Sequence, residues 1–138
     1  VSRPTTMTKK TSISDGNYFM SNSIIHHDCI IENNTVICSN VSVAGNVRLM
    51  NGVYLGQNSS IHQFQIIGSY SILGMNSCVT KKSNVLPGKK YVGVPCRCIG
   101  ENKIGLERGG INQDNLIKEV KRYKILKKQI KKRLEISV

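Results

Sequence analysis

The sequence contains no tryptophan, two phenylalanines and five tyrosines in 138 residues, so its core has to be assembled from aliphatic and small side chains. The same scarcity argues against a large aromatic pocket and against a platform for stacking nucleobases, and nucleic acid is not an expected partner. Acidic residues are few, eight against twenty Lys and Arg, which leaves a net charge of +12. That excess is uneven: residues 1–88 carry +3 and residues 89–138 carry +9. No run approaches the roughly 18 apolar residues of a membrane span, and the first residues lack the apolar stretch of a signal peptide. A cytoplasmic chain without a transmembrane segment is expected. The five cysteines (Cys29, Cys38, Cys78, Cys96 and Cys98) are an odd number in no framework spacing, as fits unpaired thiols in a reducing compartment. Cys96 and Cys98 are closer than a usual zinc pair, and no histidine-rich partner follows them, so no metal is expected.

What the sequence does contain is a period of six. Ile13, Phe19, Ile25, Ile31, Ile37, Val43, Leu49, Leu55, Ile61, Ile67, Leu73, Val79 and Val85 follow one another at that spacing without a miss, and Met7 extends the register backwards. Four residues beyond these positions lie mostly small or slender side chains, among them Cys29, Thr35, Val41, Val47, Ser59 and Ser71, with Gln65 the bulkiest. Glycines and asparagines fill the intervals. Neither a helix of 3.6 residues per turn nor an alternating strand produces a pure period of six over more than 70 residues. A coil with three short flat sides does: each side points one aliphatic residue inward, and each corner tolerates a positive φ. An antiparallel β domain with regular turns would show a looser spacing of about 8–12 residues. With 18 residues per coil, residues 1–88 make nearly five coils of an all-β solenoid. The register already runs at the first residues without a visible cap, which points to a piece of a longer solenoid or to stacking on something else.

Residues 89–138 read as a connecting loop, Lys89 to Pro95, followed by a C-terminal amphipathic helix over about Gln113 to Leu134, where neither Gly nor Pro occurs. Leu116, Val120, Tyr123, Lys127, Ile130 and Leu134 step by three and four, and lysines and arginines surround them. The apolar stripe is expected to pack on the solenoid or on a neighbouring helix. The basic surface can be a solvated face or can steer an acidic partner.

His26, His27 and His62 are the only histidines. In the coil register His27 falls near a corner, and His62 comes two coils later, so the two can share a lateral face. An imidazole near its ordinary pKa can take a proton from a hydroxyl or amine attacking a thioester, and the adjacent Asp28 can set its tautomer. No activated Ser or Cys nucleophile is apparent, so direct transfer without a covalent intermediate or a cofactor is the simpler chemistry. Taken alone, each of these histidines is more often a structural or surface residue.

The six-residue period resembles that of the hexapeptide-repeat left-handed parallel β-helices. Within it, His27-Asp28-Cys29, Val43-Ala44-Gly45 and Ile61-His62-Gln63-Phe64 with Ile66-Ile67-Gly68 resemble the UDP-N-acetylglucosamine O-acyltransferases, and the similarity continues into Asn102 and Gly105-Leu106. That family moves a 3-hydroxyacyl chain from acyl carrier protein to a sugar hydroxyl in lipid A biosynthesis. The resemblance implies a homotrimer with sites between neighbouring prisms, His27 as general base, Asp28 as its orienting partner and the Gly45 N–H as oxyanion donor. It further implies His62 and Gln63 along the substrate cleft, and Asn102 and Arg108 near the nucleotide or the phosphate-bearing donor. Met75 would stop the acyl groove, and its bulk would favour a shorter chain than glycine there. Ile24, Asn46, Ile104 and Gly109 depart from the family's pattern, and the leading coils and most of the C-terminal helical domain are missing. These departures bear on the acceptor more than on acyl transfer. Two other readings stand beside this one: an acetyl-CoA-dependent sugar acetyltransferase, and a non-catalytic module docking on an acidic partner. The γ-class carbonic anhydrases share the fold but need three well-placed histidine ligands, which adjacent His26 and His27 do not offer.

Overall fold

A computed structural model describes residues 1–6 and 9–136, and Met7, the backward extension of the period, lies outside them. Twelve two-residue strands wind three to a coil into a left-handed parallel β-helix of about four coils. The first face stacks Ser12–Ile13, Ile30–Ile31, Arg48–Leu49 and Ile66–Ile67. The second stacks Tyr18–Phe19, Val36–Ile37, Tyr54–Leu55 and Ile72–Leu73, and the third Ile24–Ile25, Ser42–Val43, Ser60–Ile61 and Cys78–Val79. Pairing is parallel with a constant offset, Ile31 opposite Leu49 and Leu49 opposite Ile67, so the aliphatic residue of every strand sits on its counterpart one coil away. From Ile25 to Val85 these inward residues are almost wholly buried and form one continuous core.

The corners explain why the period never slips. From Gly16 to Asn76 every sixth residue has φ between 56° and 70°, in the left-handed region. Asparagine occupies most of these positions because its short amide tolerates that conformation, and Asp28 takes one of them for the same reason. Phe64 and Tyr70 adopt it as well, at a cost that bulky side chains do not normally meet.

Two sequence expectations change at the ends. The segment from Lys89, read as a loop, is instead a strand, Lys89–Val92, which joins the second face with Tyr91 opposite Leu73. Tyr91 is the next inward residue of the six-residue series, an aromatic where an aliphatic was sought. Arg97–Glu101 then folds back antiparallel on that strand, so the second face gains two strands beyond residue 88. At the other end, the N–H of Ser2 donates to the carbonyl of Ile25, and Thr5 meets Asp28 across 23 residues rather than 18. The first residues thus leave the coil register, the regular solenoid has about four coils rather than nearly five, and Ile13 and Phe19 are partly exposed although they face inward.

After a short helix α1 (Lys103–Arg108) comes α2 (Gln113–Ile136), which crosses the first face. Asn112 caps α2 by accepting the N–H of Asn115, and Tyr123, Leu126 and Ile130 pack on Met50 and Ile66. The apolar stripe therefore covers the solenoid. The buried Glu32 accepts hydrogen bonds from Arg48, at 2.7 Å, and from Arg122 of α2, and Glu119 accepts from Ser69. These contacts pair the charges that the helix would otherwise bury alone. Replacing the fully buried Leu49 by Ala removes atoms from the middle of the stack, and urea denaturation is expected to show a loss of about 2–5 kcal/mol with no change in quaternary state.

Candidate active site

The corner between the third and first faces holds all three histidines, with Asp28 and Gln63 beside them. Residues 18 apart superimpose on successive coils, so His27, Gly45, Gln63 and Lys81 form one column and His26, Ala44, His62 and Thr80 the next. Coils are about 4.8 Å apart, which puts Gln63 roughly 10 Å along the column from His27.

His27 Nδ1 lies 2.9 Å from Asp28 Oδ2. With that nitrogen donating to the carboxylate, Nε2 carries the lone pair and is the atom able to accept a proton. The Asp28 side chain is only 4% exposed and also accepts from the Thr5 hydroxyl at 2.7 Å and the Thr5 N–H at 3.3 Å. The Thr5 hydroxyl first, and then His27, holds the carboxyl below its usual pKa against the opposing effect of burial. A carboxylate kept ionised in this way can stabilise an imidazolium. Gly45 supplies the floor: a Cβ built there would come within 2.4 Å of His27 Cε1 and 2.5 Å of Nε2. The imidazole therefore rests on bare backbone, in a position that no other residue would leave open.

His62 is exposed, with Nδ1 3.0 Å from the carbonyl of Gln63. Both residues line a groove of about 830 Å³ that α2 closes from the other side. Asn102 and Arg108 lie elsewhere. They line a second cavity, of about 590 Å³, over the second face with Val36, Tyr54 and Ile72. Within it the Asn102 amide caps α1 by accepting the N–H of Gly105 and donates one N–H to the Tyr70 carbonyl at 2.8 Å. Met75, 70% exposed, occupies the corner between the second and third faces. One chain thus unites His27, Asp28 and Gly45, continues them to His62 and Gln63, and holds Asn102 with Arg108 and Met75 on different sides of the prism. Sequence reasoning missed Thr5, which no motif marks, and it placed Lys127 on the inner helix face without the groove that this side chain enters. Among the described residues no cluster of three or more His, Cys, Asp or Glu is arranged to hold a metal, and no helix is long and apolar enough to cross a membrane.

Residues 10–45 match the family model of the bacterial transferase hexapeptide (six repeats). The chain is built of hexapeptide repeats. Among solved structures this hexapeptide-repeat chain is similar to the UDP-N-acetylglucosamine acyltransferase of Arabidopsis, at 30% identity and a TM-score of 0.75, over 80% of this chain and 38% of that one. It is also similar to the UDP-N-acetylglucosamine O-acyltransferase of Moraxella catarrhalis, at 30% identity and a TM-score of 0.73, over 88% of this chain and 48% of that one. The corresponding protein of Acinetobacter baumannii shares 36% identity over 79% of this chain and 42% of its own, with a TM-score of 0.66. The hexapeptide-repeat chain therefore spans less than half the length of each of these relatives. Comparison with curated proteins finds no significant match.

Two measurements check this geometry. Gly45→Ala should leave the circular dichroism spectrum unchanged while shifting the NMR resonances of the His27 ring, and unshifted resonances would mean that the ring does not rest on Gly45. The depressed pKa of Asp28 also gives a sign for stability. Its contribution is present above the ordinary carboxylate range and disappears as pH falls through the lowered folded value. Melting temperatures of the wild type and Asp28→Asn should accordingly differ at neutral pH and converge in strong acid.

Proposed function

We propose that this chain carries the catalytic corner of an acyltransferase that moves a 3-hydroxyacyl chain from acyl carrier protein to a hydroxyl or amine of a nucleotide sugar, as in lipid A biosynthesis. The observation that carries this reading is the imidazole of His27, bonded to Asp28 at one nitrogen and lying on Gly45 at the other. In the proposed reaction Nε2 of His27 removes the acceptor's proton as its oxygen or nitrogen attacks the thioester carbonyl. The Gly45 N–H stabilises the oxyanion, Asp28 stabilises the imidazolium, and collapse of the tetrahedral intermediate expels the thiolate, which takes the proton back from His27. No covalent enzyme intermediate and no cofactor are required.

His62 and Gln63, farther along the same corner, contact the acceptor in this reading. Asn102, Arg108 and Met75 reach the same substrates from a neighbouring copy, because one prism holds them away from the His27 corner. A homotrimer meets that requirement: each corner of one prism faces a side of the next, and Arg108 approaches a phosphate while Met75 ends the acyl groove. The similarity to UDP-N-acetylglucosamine acyltransferases supports the substrate class, and because the match covers less than half of each of those relatives, the acceptor is the quantity to measure.

The test is incubation of the chain with 3-hydroxyacyl carrier proteins of graded length, and with acetyl-CoA as a competing donor, across a panel of nucleotide sugars with mass-spectrometric detection. Transfer from the carrier protein should fall by about 10²-fold or more in His27→Ala, with the assembly state unchanged. Transfer that survives this substitution would remove His27 from its role, and turnover with acetyl-CoA alone would assign the donor differently. Met75→Gly should move the preferred acyl chain to greater length, and an unchanged preference would show that Met75 does not border the groove.

A further inference from the structure

The groove between α2 and the third–first corner has a charge pattern that acyl transfer at His27 does not explain. Lys81 enters it from the solenoid, and Lys127, Lys128 and Lys131 enter from the helix. No carboxylate among the described residues lines it, and none of these four lysines has a salt-bridge partner among them. Elsewhere the molecule behaves differently: Arg48 and Arg122, the cations beneath α2, are paired with two carboxylates, Glu32 between them and Glu119 on Arg122. Four like charges facing one concave surface repel one another, and an anion placed among them removes that repulsion.

Lys127 is held in place for such a contact. Its Nζ donates to Oε1 of the buried Gln65 at 3.1 Å and lies 5.8 Å from the centre of the Tyr123 ring, while the Gln65 amide nitrogen donates to the carbonyl of Lys81. One buried glutamine thereby ties the two sides of the groove together. An ammonium has three protons to donate, and Gln65 takes one. Burial lowers the pKa of Lys127, a penalty that a bound anion would offset. Phe64, Ile130 and Leu134 provide an apolar wall beside the lysines, and the volume of about 830 Å³ suits a small organic molecule rather than a bare ion.

We propose that this groove binds the phosphate-bearing arm of a substrate, with Lys81, Lys127, Lys128 and Lys131 holding the phosphate and His62 and Gln63 receiving the part of the molecule that leads toward His27. In naming the ligand a substrate arm the proposal rests on the acyl-transfer reading; the anion groove itself does not. Lys81 stands three coils beyond His27 in the same column, about 14 Å away at the spacing of stacked strands. A nucleoside diphosphate sugar and a phosphopantetheine thioester share the required chemistry, because each carries phosphate at arm's length from its reacting atom.

Calorimetric titration of the full chain at low salt with UDP, and separately with 4′-phosphopantetheine, tests the proposal and tells the two sources apart. Binding of either is expected, weakened about tenfold by Lys131→Gln or Lys127→Met and unchanged by Lys118→Gln, which removes the same charge from the exposed side of α2. Lys131 is exposed and its replacement leaves the helix packing intact, so it decides the matter even if Lys127→Met unfolds. Absence of binding by both probes overturns the proposal, as does equal weakening by Lys118→Gln. Groove-dependent binding without acyl transfer from any donor would sink the catalytic reading and leave the groove standing. His27-dependent transfer with no effect of Lys131→Gln on binding would do the reverse.

Discussion

Everything in this molecule hangs on the stacking of each 18-residue coil on the next. A two-residue strand has almost no stability of its own; it persists because its N–H and C=O groups are shared with the coils on either side and its one aliphatic side chain is sealed between two others. The left-handed residue at each corner makes that repeat possible. A single corner out of step would rotate every later aliphatic side chain off the axis, and the unbroken series from Gly16 to Asn76 prevents it.

The same constraint builds the candidate site. Because coils superimpose, residues far apart in sequence stand in columns a few ångströms apart, and an exposed corner becomes a ladder on which chemistry can be arranged rung by rung. His27 can lie flat only because the rung beneath it is glycine, and Asp28 can turn its carboxylate onto the imidazole because it occupies the left-handed corner position. Fold and site thus use one device. The backbone conformation that turns the corner also aims the carboxylate.

Helix α2 adds what the solenoid lacks, a wall. The regular prism is convex, so a concave surface arises only where another element leans on it. By covering the first face through Tyr123, Leu126 and Ile130, and by pairing Arg122 with the buried Glu32, the helix converts an open corner into the groove that begins at His62. The basic composition of the tail therefore has two distinct parts: the half-buried Arg122, paired with Glu32 and Glu119, and lysines gathered around a cavity.

Much of this could be read from residue order. The period of six, the inward aliphatic series, the helix near Gln113 to Leu134 and the shared corner of His27 and His62 depend on local spacing, which sequence records directly. Lys89–Val92 was not legible as a strand because Tyr91 replaces the aliphatic marker, and its identity emerges only from pairing with Leu73. The contact between Thr5 and Asp28 was hidden because the first residues abandon the 18-residue register. The sequence by itself determined the coil, since a strict repeat admits one way of burying its apolar side chains. Only the tertiary structure decided which side of the prism α2 covers, where the lysines converge, and that Asn102, Arg108 and Met75 stand away from His27. Those relations join residues whose separation is set by packing between elements, and no local spacing encodes them.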